Sequence, residues 1–162
     1  MDKDTYIALD KTIKEQEESL RFDRFSNRDA LDLGNFLTEA IYNQKIDLAL
    51  CIRKMNGAIL FQHMTEGTCL NNQNWMNRKF NTVALMERSS YGAWAVSQIS
   101  GETLADHGLS EADYKLCGGG FPIALKSGEI VAVLTVSNLP HEKDHEFIVN
   151  GLKEWLASNT ST

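Results

Sequence analysis

His141 and His145 are the residues whose type and spacing point most directly to chemistry. Four positions apart in a helix, they project from one face, and two imidazoles on one face can grip a divalent metal. The run His-Glu-Lys-Asp-His also matches the H-E-x-x-H string of zinc proteases. Pro140 weakens the protease reading, because it places the string in a first helical turn rather than mid-helix beneath a cleft. A third ligand would have to come from His107, His63 or an acidic side chain. Packing is the competing reading: positions 141, 145, 148, 152 and 155 form one stripe, with His145 extending an apolar face and His141 in the capping turn.

Gly118-Gly119-Gly120 is the second feature. Without Cβ atoms these residues accept positive φ and let a ligand approach the backbone. Phosphate-cradling loops run from a strand into a helix N-terminus, whereas these glycines lead into Phe121-Pro122-Ile123, which reads as a strand. They fit a bend, a bulge or a pocket wall. Cys117 abuts them and is a candidate nucleophile near His107 or His145, set against the commoner role of a buried thiol as a small hydrophobe. Ser89, Ser90 and Ser137 lack the G-x-S-x-G setting of hydrolase serines. Arg78 and Lys79 lie off the apolar stripe of their helix. There they meet an anionic ligand or an acidic neighbouring subunit, or form a solvated face.

These residues need elements to position them. Asp4 to Leu20 reads as a weakly amphipathic helix, an arm able to pack on a partner. Ser26-Asn-Arg-Asp caps a core helix carrying Leu33, Phe36, Leu37, Ala40 and Ile41. Ile46 to Lys54 and Ala58 to His63 flank Asn56-Gly57, a pair that favours a hairpin turn with both central residues at positive φ. Helices follow from about Asn72 to Met86 and from Tyr91 to Ile99, then a polar, irregular stretch. Phe121 to Leu125 and Glu129 to Ser137 make a second hairpin; its second strand is apolar on both faces and so is covered on both sides. A last helix opens at Pro140, with Glu142 and Asp144 complementing its dipole. With a short fifth strand near Lys115 to Cys117, this order predicts the α+β class: a PAS-like or profilin-like antiparallel sheet of about five strands flanked by helices.

The 162 residues predict a single domain, 1–162, with an N-terminal helical arm. A net charge of −6 argues against a sequence-blind nucleic-acid binder. Three cysteines without regular spacing make no disulfide framework or zinc ribbon. The absence of a signal-like N-terminus or a membrane-length apolar run predicts a cytoplasmic chain with no membrane partner.

Arg78-Lys79-Phe80-Asn81-Thr82-Val83, Gly118-Gly119-Gly120-Phe121-Pro122-Ile123 and the run Val136 to His145, in this order and spacing, resemble the uncharacterised branch of the haem-degrading domain superfamily. That superfamily includes the GlcG and HbpS proteins, and the likeness runs from about residue 10 to 157. It implies a homo-oligomer and, from the better-known relatives, haem or iron binding. Asn138 departs from the pattern, standing where glycine is expected, and the relatives' haem ligand maps onto no position. The leading reading is an oligomeric small-ligand or cofactor-binding protein, with haem or a divalent metal as the candidate group. Its pocket would involve Arg78, Lys79, His107, Gly118, Gly119, Gly120 and His145. The alternatives are a non-catalytic assembly or adaptor protein and an enzyme acting on a small metabolite.

Overall fold

The computed structural model describes residues 1–159. Helix α1 (Lys3–Ser19) is capped by Asp2, whose carboxylate accepts the Thr5 N–H at 2.9 Å. Helix α2 (Asn27–Asn43) begins at the expected capping box: Ser26 Oγ accepts from Asp29 N, and the Asp29 carboxylate accepts from Ser26 N at 2.7 Å. Strands β1 (Ala49–Lys54) and β2 (Ile59–Met64) form the first hairpin. Helices α3 (Leu70–Met86) and α4 (Ser90–Ser100) follow, and then a 3-10 turn at Ala105–His107. Strands β3 (Gly120–Ala124) and β4 (Ile130–Ser137) and helix α5 (His141–Asn159) complete the order.

The four strands pair antiparallel in the order β2-β1-β4-β3, so the chain is an α+β fold. Helices α2 and α5 cover one face through Leu33, Leu37, Ile41, Ile148 and Leu152, packed on Leu50, Ile52, Phe121 and Leu134. Helix α3 covers the other face through Met76, Phe80 and Val83. Burial on both sides explains why β4 is apolar on both faces. Gly34 lets α2 close on the sheet, because the Phe61 ring occupies the space a Cβ there would need.

Two sequence expectations change. Only Gly57 of the Asn56-Gly57 pair has positive φ, at 97°, and the register shifts between Ile52 and Arg53. The hairpin therefore closes with a bulge rather than a two-residue turn. The sheet has four strands among the described residues, not five. At Lys115 the backbone N–H and C=O both bond Thr82 Oγ1 of α3, at 3.0 and 2.9 Å, which ties this segment to a helix instead of a sheet edge. The outer edge of β3 is met by Phe22, whose N–H donates to the Ala124 carbonyl at 2.9 Å and whose carbonyl accepts from Lys126 at 2.8 Å.

Helix α1 lies along α4, burying Ile13 against Tyr91 and Ala95. Arg88 clamps it by pairing with Glu17 at 3.0 Å and Asp10 at 2.7 Å, and the Ser89 N–H donates to Glu17.

Candidate functional site

The glycine run, Lys79 and both histidines of α5 meet at one buried junction. Lys79 is not off the apolar stripe: it lies three residues after Met76 and four before Val83, on the face α3 turns to the sheet, and is 2% exposed. Its Nζ donates to Asp144 Oδ2 and to the Val136 carbonyl, both at 2.8 Å. Asp144 Oδ1 accepts from Leu139 N at 3.1 Å. Burial pushes the Asp144 carboxyl up to about 6, against the pull of Lys79 and of the Leu139 and Asn138 amides. Both charges of this pair are desolvated and answered within the protein.

The glycines are required by closeness. Gly119 has φ 119°, and a Cβ there would sit 2.5 Å from Lys79 Nζ and 2.8 Å from the Val136 carbonyl oxygen. A Cβ on Gly118 would overlap the His141 carbonyl, and one on Gly120 would lie 2.9 Å from Val83 Cγ2. The loop's own groups are used as well. Gly118 N–H donates to His141 Nδ1 at 3.1 Å, Gly120 N–H donates to Ser90 Oγ at 2.9 Å, and the Gly119 carbonyl accepts from Val136 N at 2.8 Å. Helices α3, α4 and α5 and strand β4 all close on this loop.

His145 is equally committed. Its Nε2 lies 2.7 Å from Gln16 Oε1, an acceptor, so Nε2 carries the proton and α1 is tied to α5. Its Nδ1 is enclosed with no partner among the described residues. Burial, then the charge of His141, lowers its pKa to about 4. His141 uses Nδ1 to accept from Gly118, and its pKa falls chiefly through burial. Tyr91 packs against both rings, with centroids 5.3 and 4.8 Å away.

Among the described residues no three His, Cys, Asp or Glu side chains are arranged to hold a metal ion. His63 bonds Tyr42 Oη at 2.8 Å, and His107 lies 2.9 Å from Glu102. Burial raises the Cys117 thiol pKa, the reverse of nucleophile activation. Arg78 stacks over Trp75 at 4.6 Å.

Open space lies along α4 beside this junction, with the Trp94 ring 4.7 Å from that of His141. Gly101, at φ 77°, ends that helix. The chain returns through the 3-10 turn, held by Thr103 N–H donating to Asp106 Oδ2 at 2.8 Å. Asn81 and Thr82 of α3 then pin Asp113 and Lys115. Between α4 and this returning segment lies a cleft of about 430 Å³ lined by Trp94, Gln98, Leu104, Lys115 and Leu116. An apolar cavity of about 170 Å³, lined by Met86, Val96, Leu116 and His107, adjoins it across Ser97, Glu102 and Leu116. The cleft falls in the size range of small-ligand pockets, and the cavity extends it. The His107 side chain is 44% exposed at this lip.

Of the residues singled out in the sequence, the structure brings together Lys79, Gly118 to Gly120, His141 and His145. His107 pairs instead with Glu102. Sequence reasoning missed Asp144 as a charge partner, because first-turn carboxylates are ordinary, and missed the crevice formed by Trp94, Lys115 and Leu116. The helical spacing of Met76, Lys79 and Val83 was a readable sign that Lys79 is buried.

Comparison with known proteins adds a lineage. The model of a family described as haem degrading protein HbpS-like matches residues 25–153. A UPF0303 protein of Paraburkholderia phymatum is 41% identical over 157 residues, covering 96% of this chain and 94% of its own. The crystal structure of the Ybr137w protein aligns with a TM-score of 0.86 at 25% identity, over 94% of this chain and 90% of that one. A PduOC–haem complex shares the fold, with a TM-score of 0.66 at 17% identity over 80% of this chain and 93% of its own. Helix α1 lies outside the residues that the family model matches.

Proposed function

This chain belongs to the haem degrading protein HbpS-like family, and from that premise we propose that it is an oligomeric small-ligand-binding protein whose ligand, of the haem class, enters the crevice beside α4. The observation that carries this reading is the adjoining cleft and cavity with one exposed imidazole at the lip. The lining fits such a ligand. Met86, Val96, Leu116 and Trp94 supply apolar and aromatic wall. Lys115 pairs loosely, at 3.7 Å, with the exposed Glu111 and lies 5.8 Å over the Trp75 ring, contacts weak enough for its ammonium to meet a carboxylate. Arg88 borders the cavity but is held by Asp10 and Glu17.

A bound haem would supply redox-active iron; the chain's part is to hold and shield it. His107 presents the imidazole, and Glu102, 2.9 Å from its Nε2, orients the ring. Leu116 stands where the two spaces meet and fixes how deep a flat ligand can go. Oligomer formation is the second part of the proposal. The outer edge of β2 is unpaired among the described strands and exposes Ile59, which makes it a natural contact between copies. Light scattering tests this part, and a monomer refutes it. The same edge is what favours the alternative reading, an assembly or adaptor protein without a ligand.

Titration with haemin tests the ligand reading. Saturable binding with a shifted Soret band is expected, weakened in His107→Ala. No spectral change, with the protein folded, refutes it.

A further inference from the structure

A second site lies far from that crevice in character, where the α1–α2 linker meets the β3–β4 turn. The backbone bonds of Phe22 to Ala124 and Lys126, at 2.9 and 2.8 Å, lay residues 21–24 beside residues 124–126. A cavity of about 160 Å³ opens there, and Arg21, Arg24 and Lys126 all line it. Among the described residues none of these three cations has a carboxylate within ion-pair distance, in a chain whose acidic residues outnumber its basic ones. Arg21 Nε is enclosed without an acceptor among the described residues, so part of its guanidinium is desolvated and unanswered there. A buried donor left unpaired is costly, and a bound anion is one way such a group is satisfied.

From this juxtaposition we infer a binding site for an organic monoanion, a carboxylate on a flat apolar body. The charge count sets the valence. Asp23 and Asp29 also line the space, so among the described residues three cations against two carboxylates leave one positive charge. Asp29 is occupied in capping α2, where it accepts from Ser26 N. Two guanidinium forks suit a carboxylate, which accepts two parallel N–H bonds. The apolar body is set by the opposite wall, where half-buried Trp155 and Leu156 face the same space. Trp155 is itself held by Phe36, ring centroids 5.4 Å apart, so its indole is a fixed platform.

Calorimetric titration of the full chain at low ionic strength tests the assignment, with benzoate, its neutral analogue benzamide and inorganic phosphate as probes. Benzoate should bind and benzamide should not. Arg21→Gln and Lys126→Gln should each weaken benzoate by about tenfold or more, the share of one charge-assisted hydrogen bond. Lys126 is exposed, so its substitution keeps the test valid if Arg21→Gln misfolds. The assignment is overturned by absence of benzoate binding, by equal binding of benzamide, by phosphate binding without benzoate, or by benzoate affinity unchanged in Lys126→Gln. Haemin binding at the α4 crevice is read separately, so either site can fail without the other.

Discussion

The two ends of the segment from Ser100 to His145 behave in opposite ways. Around Gly118 to Gly120 and the start of α5 lie the residues that look reactive in sequence: a lysine, an aspartate, two histidines, a thiol and three glycines. Nearly every polar atom there is already answered, Lys79 by Asp144 and Val136, His141 by Gly118, His145 by Gln16. Around Leu104 to Leu116 the residues are ordinary in type, yet space remains and an imidazole stays exposed. Reactive types packed tightly together make a structural knot, while modest types border the larger open space. Chemistry needs the second condition as much as the first.

Breaking the knot should have the largest effect. Asp144→Ala leaves the Lys79 ammonium buried and unpaired, and should destabilise the fold by about 3–5 kcal/mol in urea unfolding. The double substitution Lys79→Met with Asp144→Leu should recover most of that loss, because the penalty comes from the lone charge and not from the missing pair. If the double variant is no better than the single, the pair has a role beyond mutual neutralisation.

The histidine of the knot sharpens the contrast through pH. His145 is neutral in the folded chain down to about 4, whereas in the unfolded chain it takes a proton near 6.5. Its folded pKa is depressed, so its contribution to stability is present above 6.5 and is lost as pH falls toward 4. His145→Gln should therefore be more damaging at pH 7 than at pH 4, by on the order of 3 kcal/mol. Asp144 has the opposite sign: its raised pKa favours the fold below 3.8, an advantage lost as pH rises through about 6. The two contributions oppose one another between about 4 and 6. Parallel pH series of urea melts on the native chain and His145→Gln check this, and a pH-independent difference would contradict it.

Gly119→Ala should be milder, about 2 kcal/mol, from a Cβ pressed against Lys79 Nζ and the Val136 carbonyl at φ 119°. At the crevice His107→Ala should change stability by less than about 0.5 kcal/mol, since its side chain sits at the surface and is 44% exposed. A thermal melt separates the two variants at once.

Much of the fold was legible in the sequence. The Ser26 box, the two hairpins, the two-sided burial of β4 and the α5 stripe followed from periodicity and capping chemistry. The sheet edge was not legible, because Phe22 reaches β3 from far along the chain and the Lys115 backbone is captured by a helical threonine. For the site, the sequence pointed at residue types and so at the knot. Lys79 was misplaced because a charged side chain was assigned to solvent, although its spacing from Met76 and Val83 put it inside. The crevice depends on how the stretch from Gly101 to Leu116 folds back on α4, which no local pattern encodes.

Ligand is expected to enter the α4 crevice and not the glycine junction. Zinc protoporphyrin, a diamagnetic haem analogue, can be titrated into isotope-labelled protein while backbone amide shifts are followed. The largest perturbations should fall on Trp94 to Gln98 and Leu104 to Leu116, with Gly118 to Gly120 and His145 little changed. Perturbations centred on Gly118 to Gly120 and His145, with the crevice silent, would contradict it.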